Sequence, residues 1–285
     1  MTNPDELSAY MIFSRSDWAA LRASTSLTLS EADLAALRGL NGPITTAEVS
    51  DVYLPLTRLL NLHFSAARNL MQVKAEFLGR PARRSPYIIA LAGSVGVGKS
   101  TFARVLCALL AGWADHPRVE LVTTDGFLHA NAVLEERGLM RRKGFPDSYD
   151  LPRMLRFLAA AKAGEGELEL PVYSHLIGDI VPSERQLIRL PDILVFEGLN
   201  VLLARGNAPV VVSDFFDFSI YLDADEADIQ SWYVERFLKL QPTAFRNPAS
   251  YFHHYRDLPP SDAREVAERL WREHHRANLK IGRAH

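Results

Sequence analysis

Apolar positions change their period along the chain. Val52, Leu56, Leu59, Leu60, Phe64 and Ala67 recur at helical spacing and draw one stripe. Ser30 followed by Asp33, and Thr45 followed by Glu48, have the spacing of capping boxes, which satisfy free N–H groups at a helix start. Residues 1–84 therefore read as a helical extension whose stripe packs onto a core or a second subunit. Pro55 belongs at a break or in a first turn, because it has no N–H to give a helix interior. Past the loop Gly79–Pro86 the pattern switches to short apolar runs at Tyr87–Ala92, Val119–Thr123, Ile193–Phe196 and Phe218–Leu222. Helical stretches such as Lys99–Ala111, Leu151–Ala163 and Glu226–Leu240 lie between them. Buried strands alternating with helices predict an α/β fold, a mostly parallel sheet flanked by helices, over residues 85–280.

The first strand runs into Gly93-Ser94-Val95-Gly96-Val97-Gly98-Lys99-Ser100, which fits G-x-x-x-x-G-K-[ST]. Each position has a physical reason. The glycines let successive N–H groups point inward at phosphate oxygens, and the helix that follows adds its positive end. Lys99 supplies a cation to the β- and γ-phosphates, and the Ser100 hydroxyl is placed to ligate Mg²⁺. With an apolar strand before and a helix after, the reading is a P-loop NTPase-like core rather than a bare strand-to-helix turn.

Two carboxylates close other strands. Asp125, in Thr123-Thr124-Asp125-Gly126-Phe127, projects towards the γ-phosphate if the site lies beyond the carboxyl ends of the strands. There it could accept the acceptor's proton, orient the hydroxyl or hold Mg²⁺ through water; as an Asp-Gly pair it could also simply turn the chain. Glu197 follows an apolar run and precedes Gly198, the layout of a Walker B acid, and reads as a metal-water ligand or as a cap. Arg236 shares a helix face with Tyr233 and Phe237. It either offsets charge in the transition state, worth about 4–7 kcal/mol, or pairs on the surface with Glu235 or Asp228. Arg137, Arg141, Arg142 and Lys143 form a basic cluster, which taken alone is usually a solvated face.

Composition narrows the class. The 34 acids nearly cancel the 32 Lys and Arg among 285 residues, which argues against a general nucleic-acid binder. The single Cys107 lies in an apolar helical run, rules out an intramolecular disulfide framework and fits a reducing compartment. No apolar stretch approaches the roughly 20 residues that span a bilayer, and Met1–Tyr10 lacks a signal pattern, so a cytoplasmic protein is expected. Nine histidines without H-x-x-x-H or Cys partners speak against a transition-metal site.

Taken together, the P-loop, Thr123–Leu128, Arg137–Pro146, Tyr173-Ser-His175, Glu197–Val201, Ser213-Asp-Phe, Trp232-Tyr233 and Ser250–His253 resemble bacterial type I pantothenate kinases over nearly the whole chain. The resemblance implies ATP- and Mg²⁺-dependent phosphorylation of pantothenate, the first step towards coenzyme A, by a homodimer. It makes Asp125 the base, with Lys99 and Arg236 beside it. Gly93 to Ser100, Thr101 and Arg104 match the nucleotide site. Tyr173, His175, Tyr233, Arg236 and Asn278 match the pantothenate pocket, and Tyr251 and Phe252 match aromatics near the substrate tail. Coenzyme A, the family's feedback inhibitor, uses the positions matching Lys99 and Arg104, with His175 implicated.

One departure concerns the end of the chain. The family continues past Asn278-Leu-Lys280 with a final strand and basic residues near the nucleotide. Here Ile281-Gly-Arg-Ala-His285 follows, which a common sequencing-adapter run encodes, and these five residues are expected to be non-native. The rivals are a uridine kinase or phosphoribulokinase-like enzyme and, in another class, a P-loop regulatory NTPase. The second is weakened by the missing guanine-reading N-K-x-D motif.

Overall fold

The structure, a computed structural model, describes residues 10–37, 44–116, 118–202 and 209–283, with side chains up to Leu279. Four parallel strands form its sheet in the order β2 (Val119–Thr123), β5 (Ile193–Glu197), β1 (Tyr87–Gly93) and β6 (Phe218–Leu222). All four were legible as apolar runs, and β1 is buried along its whole length.

The two-residue side-chain period of a strand divides the core into two layers. Tyr87, Ile89 and Leu91 of β1, with Ile193 and Val195 of β5, face α4 (Leu54–Phe77) and α5 (Lys99–Ala111). Ile88, Ala90 and Ala92, with Leu194 and Phe196, face the other way. There they meet α7 (Leu151–Ala163) and a two-stranded antiparallel unit, β3 (Glu167–Ser174) with β4 (Asp179–Arg189). α8 (Glu226–Leu240) and α9 (Pro260–Leu270) pack on each other through Val234, Phe237, Ala263 and Ala267, and α10 (Arg276–Arg283) follows.

The N-terminal helices are α1 (Arg15–Ala20), α2 (Glu31–Leu37), α3 (Thr46–Glu48) and α4. The expected stripe of α4 packs inward: Leu56, Leu60 and Phe64 are buried, and Val52 and Ala67 lean on the same layer. Ser30 and Asp33 form the full reciprocal box, each side chain accepting the other's backbone N–H. Thr45 makes half of one, accepting from Glu48 N at 3.1 Å. Pro55 sits in the first turn of α4, yet the chain does not break there. A wide π-helical turn, Val49–Tyr53, precedes it and absorbs the missing donor.

The remaining elements are α6 (Asn131–Glu136) and the short turns around the site. Periodicity missed β3 and β4. Pro171 and Pro182 interrupt them, the register shifts between Pro171 and Val172, and much of β4 is exposed. The unit is fastened to the sheet's edge from the side, where Gln186 Nε2 donates to the Leu121 carbonyl of β2 at 2.8 Å. The tail expected to be foreign begins within α10. Ala284 and His285 lie outside the described residues, as do 1–9, the stretch that lacks a signal pattern in sequence.

Two positions on α4 test this layering by urea unfolding. Leu60→Ala, at a fully buried site, should cost about 2–5 kcal/mol. Leu62→Ala, 55% exposed, should stay within about 0.5 kcal/mol of the parent. Equal costs would contradict the assignment of faces.

Candidate active site

The phosphate loop begins where β1 can no longer carry a side chain. Gly93 pairs with Leu222 of β6, and a Cβ at Gly93 would stand 2.6 Å from the Leu222 carbonyl oxygen. Gly98 then takes φ +99°, a left-handed conformation without side-chain penalty for glycine, and caps α5 with no side-chain hydrogen bond. The amides that open α5 are therefore left facing outward with the helix's partial positive charge. Lys99 is buried and folds back, its Nζ donating to the Ser94 carbonyl at 2.7 Å. Burial lowers its pKa, while Glu197 and Asp125 oppose the shift.

Both carboxylates stand at this edge. β2 and β5 pair with Thr123 opposite Glu197, so the residues that follow each strand emerge side by side. The glycines behind the acids serve close approach. A Cβ on Gly198 would meet Thr124 Oγ1 at 2.0 Å, and one on Gly126 would meet the Pro171 carbonyl oxygen at 2.6 Å. Asp125 itself lies in a 3₁₀ turn, Thr124–Phe127. Glu197 is buried; Ser100 Oγ donates to its Oε1 at 3.3 Å, and its Oε2 has no partner. Burial raises the Glu197 pKa, against the pull of Lys99.

The link between β3 and β4 reaches across the cleft. His175 places Nε2 3.6 Å from Asp125 Oδ2 and stands edge-on to Tyr173, ring centroids 5.2 Å apart. The basic cluster proves to be two different things. Arg142 pairs with the Asp147 carboxylate at 2.6 Å on the surface, as a solvated face would. Lys143 instead turns inward, donates to Asn131 Oδ1 and the Gly178 carbonyl, and lies over the Tyr173 ring at 5.2 Å. It ties down the turn that carries His175. Only its position in a run of cations hid it.

Arg236, on α8, lies three residues beyond Tyr233, a little under one turn, and so shares its side of the helix. Among the described residues it makes no ion pair with Glu235 or Asp228, and Glu235 accepts from Ser231 Oγ instead. Burial lowers its pKa, with Tyr233 and Asp125 opposing.

These groups line one cleft of about 510 Å³: Val95, Gly96, Gly98, Lys99, Ser100, Thr101, Arg104, Asp125, His175, Glu197 and Arg236, with Thr123, Gly198 and Leu199. Arg104 donates to Thr101 Oγ1 and to the Leu37 carbonyl, joining α2 to the first turns of α5. The other expected residues lie around the cleft, off its lining. Val97 borders a neighbouring hollow; Tyr233 packs on Trp271; Phe252 joins the aromatic cluster of Phe237, Phe245 and Tyr255. Tyr251 is half exposed against Gly178, and its N–H donates to Leu176 O. Asn278 spends its amide N–H on the Gly144 carbonyl at 2.7 Å.

A phosphate loop facing two carboxylates, at the carboxyl edge of a parallel sheet, defines a P-loop phosphotransferase. The sequence profile of the Phosphoribulokinase / Uridine kinase family matches residues 88–236. Pantothenate kinases of Sorangium cellulosum (strain So ce56) and Myxococcus xanthus (strain DK1622) are 55% and 56% identical, over 96% and 93% of this chain and 90% and 85% of theirs. A solved kinase from Silicibacter sp. TM1040 superposes with a TM-score of 0.57 at 26% identity, covering 76% of this chain and 93% of that one. D-glycerate 3-kinase from Cryptococcus neoformans, at 12% identity and a TM-score of 0.52 over 79% and 89%, shares the fold. The chain belongs to the pantothenate kinase family and, as a kinase of that family, uses ATP.

The raised Glu197 pKa has a consequence for stability. The fold holds this proton more tightly than the unfolded chain, so its contribution is fully present below the ordinary value of 4.5 and is lost as pH rises through the folded value. Melting temperature measured against pH should therefore fall less steeply above pH 4.5 in Glu197→Gln than in the parent. Identical profiles would show that Glu197 titrates normally.

Proposed function

We propose that this chain transfers the γ-phosphoryl group of ATP to the primary hydroxyl of pantothenate, giving phosphopantothenate, from one kinase domain (residues 85–280) braced by its helical extension (1–84). The observation that carries the reading is a single cleft that joins Lys99 and the loop amides to Asp125 and His175, in a chain more than half identical to pantothenate kinases.

The loop amides and α5 receive the phosphates, and Lys99 leaves the Ser94 carbonyl for a phosphate oxygen, a partner that better repays its burial. The acceptor hydroxyl lies against Asp125, which orients it and takes its proton as the oxygen–phosphorus bond forms and the bond to ADP breaks. His175, with Nε2 3.6 Å from the same carboxylate, lines the acceptor's side of the cleft. Arg236 offsets charge on the transferring group. Tyr173, Tyr233, Tyr251, Phe252 and Asn278 shape the acceptor's surroundings.

Mg²⁺ fits the residues present. Ser100 Oγ, Glu197 and Asp125 would hold it with phosphate oxygens and water, and the unpartnered buried Oε2 of Glu197 is a donor atom in want of a ligand. Bound there, the ion would neutralise phosphate charge that otherwise repels the acceptor oxygen.

Coenzyme A as inhibitor is supported by Arg104, Lys99 and His175 sharing the cleft. Among the described residues no helix is long and apolar enough to cross a membrane. The single cysteine of the sequence, Cys107, fits a reducing cytoplasm. A homodimer is supported by the outer face of α4, where Leu62, Leu70, Val73 and Phe77 form an exposed apolar stripe opposite the buried one.

Coupled ADP-release assays test the reaction. Pantothenate should drive turnover, and Asp125→Ala should lower it by about 10²–10⁴-fold while ATP affinity stays near the parent's. Equal loss of both, or turnover only with a different alcohol, would refute the reading. For assembly, Leu70→Glu with Val73→Glu should sediment as a monomer; a persistent dimer would move the interface elsewhere.

A further inference from the structure

Behind the acceptor side of the cleft lies an arrangement that the reaction described above does not use. Between α9 and α10 the chain makes a second π-helical turn, Trp271–His275. Such a turn inserts extra backbone into a helix and re-aims the residues it carries, and it is found preferentially at functional sites. Here Trp271 and Leu279 are buried together with Ile229 of α8, and Val97 and Tyr233 pack against them. His275 lies one turn beyond Trp271 on the same side.

Three rings close on one another at this point. His275 and Tyr233 have centroids 4.6 Å apart at 53°, Trp271 and Tyr233 are 5.8 Å apart, and Trp271 and His275 are 6.1 Å apart. Tyr233 is thus gripped from the α9–α10 side by two rings. From the other side it meets the phosphate loop: a Cβ on Gly96 would lie 3.7 Å from Tyr233 Cβ. Its own helix carries Arg236 into the cleft.

We propose that His275 is a positioning residue, whose ring wedges Tyr233 against the phosphate loop and so fixes where Tyr233 and Arg236 meet the phosphate acceptor. This rests on Tyr233 and Arg236 belonging to the acceptor site. The charges around the ring suit the task. His274 and Arg236 face it, and burial together with these two neighbours lowers its pKa to about 4. The imidazole is therefore uncharged at neutral pH and adds no cation beside Arg236. The next residue, Arg276, is turned away into an ion pair with Glu226 at 2.6 Å. A ring of this size, uncharged and packed on aromatic faces, works as a spacer. A phenyl group should replace it.

Steady-state kinetics on the full chain, with ATP and pantothenate varied separately, test this. His275→Ala should raise the acceptor KM by about tenfold, the upper end of what an aromatic pair is worth, with kcat and the ATP KM little changed. His275→Phe should keep the parent's acceptor KM. If His275→Ala is too unstable to assay, His275→Gln, polar but without a ring, should show the same rise. In a Tyr233→Ala background, replacing His275 should have no further effect, because the wedge acts through Tyr233. An unchanged acceptor KM in His275→Ala, an equal rise in the ATP KM, a His275→Phe variant as impaired as His275→Ala, or additive effects with Tyr233→Ala would each overturn the proposal. Tyr233→Ala by itself separates the two levels. If it leaves the acceptor KM unchanged, the acceptor-site assignment falls and takes the wedge with it. If it raises the KM while His275→Ala does not, only the wedge falls.

Discussion

The register of β1 with its two neighbours sets the position of everything in the cleft. Leu91 lies opposite Glu197, and Gly93 opposite Leu222, so three strand ends arrive at nearly one level. β1 is buried on both faces, and past Tyr87 it carries no polar side chain, which leaves its backbone as the reference for the site. At Gly93 the neighbouring carbonyl occupies the space that a side chain would need. The chain therefore has to leave the sheet there, and the loop that results is aimed by the sheet. Its shape does not depend on its own side chains.

Charge in the cleft is arranged on the same principle. Lys99 and Glu197 are both removed from water, and each is stabilised in its charged form chiefly by the other. Two charges held this way cost desolvation energy. They stay because the walls are rigid: the Thr124 hydroxyl sits where a Gly198 side chain would be, and the Gly198 N–H is bonded to the Leu91 carbonyl at 3.0 Å. Burial that weakens a lysine's hold on its proton also strengthens its attraction to a polyanion, since little water screens the pair.

Much of this was readable from residue order. The four apolar runs became the four parallel strands, and the glycine-rich segment became a loop opening a helix, because strand burial and left-handed glycine are local properties. The meeting of Asp125 and Glu197 at one edge followed from the topology of parallel sheets, whereas residue order left Arg236 open between the cleft and a surface ion pair. What stayed hidden depends on distant partners. β3 and β4 carry prolines and exposed faces, so their period is broken, and only their pairing defines them. Lys143 looked like its solvated neighbour Arg142 until Gly178 and Asn131 closed on it. Gly126 read as a turn former, yet its place is required by the Pro171 carbonyl, 45 positions on, pressing against it. Asn278, matched to the acceptor pocket by resemblance, also gives one of its two amide N–H groups to the Gly144 carbonyl, a contact that no local pattern announces.

The antiparallel unit that bears Tyr173 and His175 lies outside the main sheet, attached at its margin by Gln186 and steadied by Lys143. Tyr173 and His175 thus rest on a piece of backbone supported separately from the phosphate loop, while Asp125 stays with the main sheet and Arg236 with α8. Lineages of this enzyme group could exchange one acceptor for another by rewriting an appendage, without touching the apparatus that grips the nucleotide.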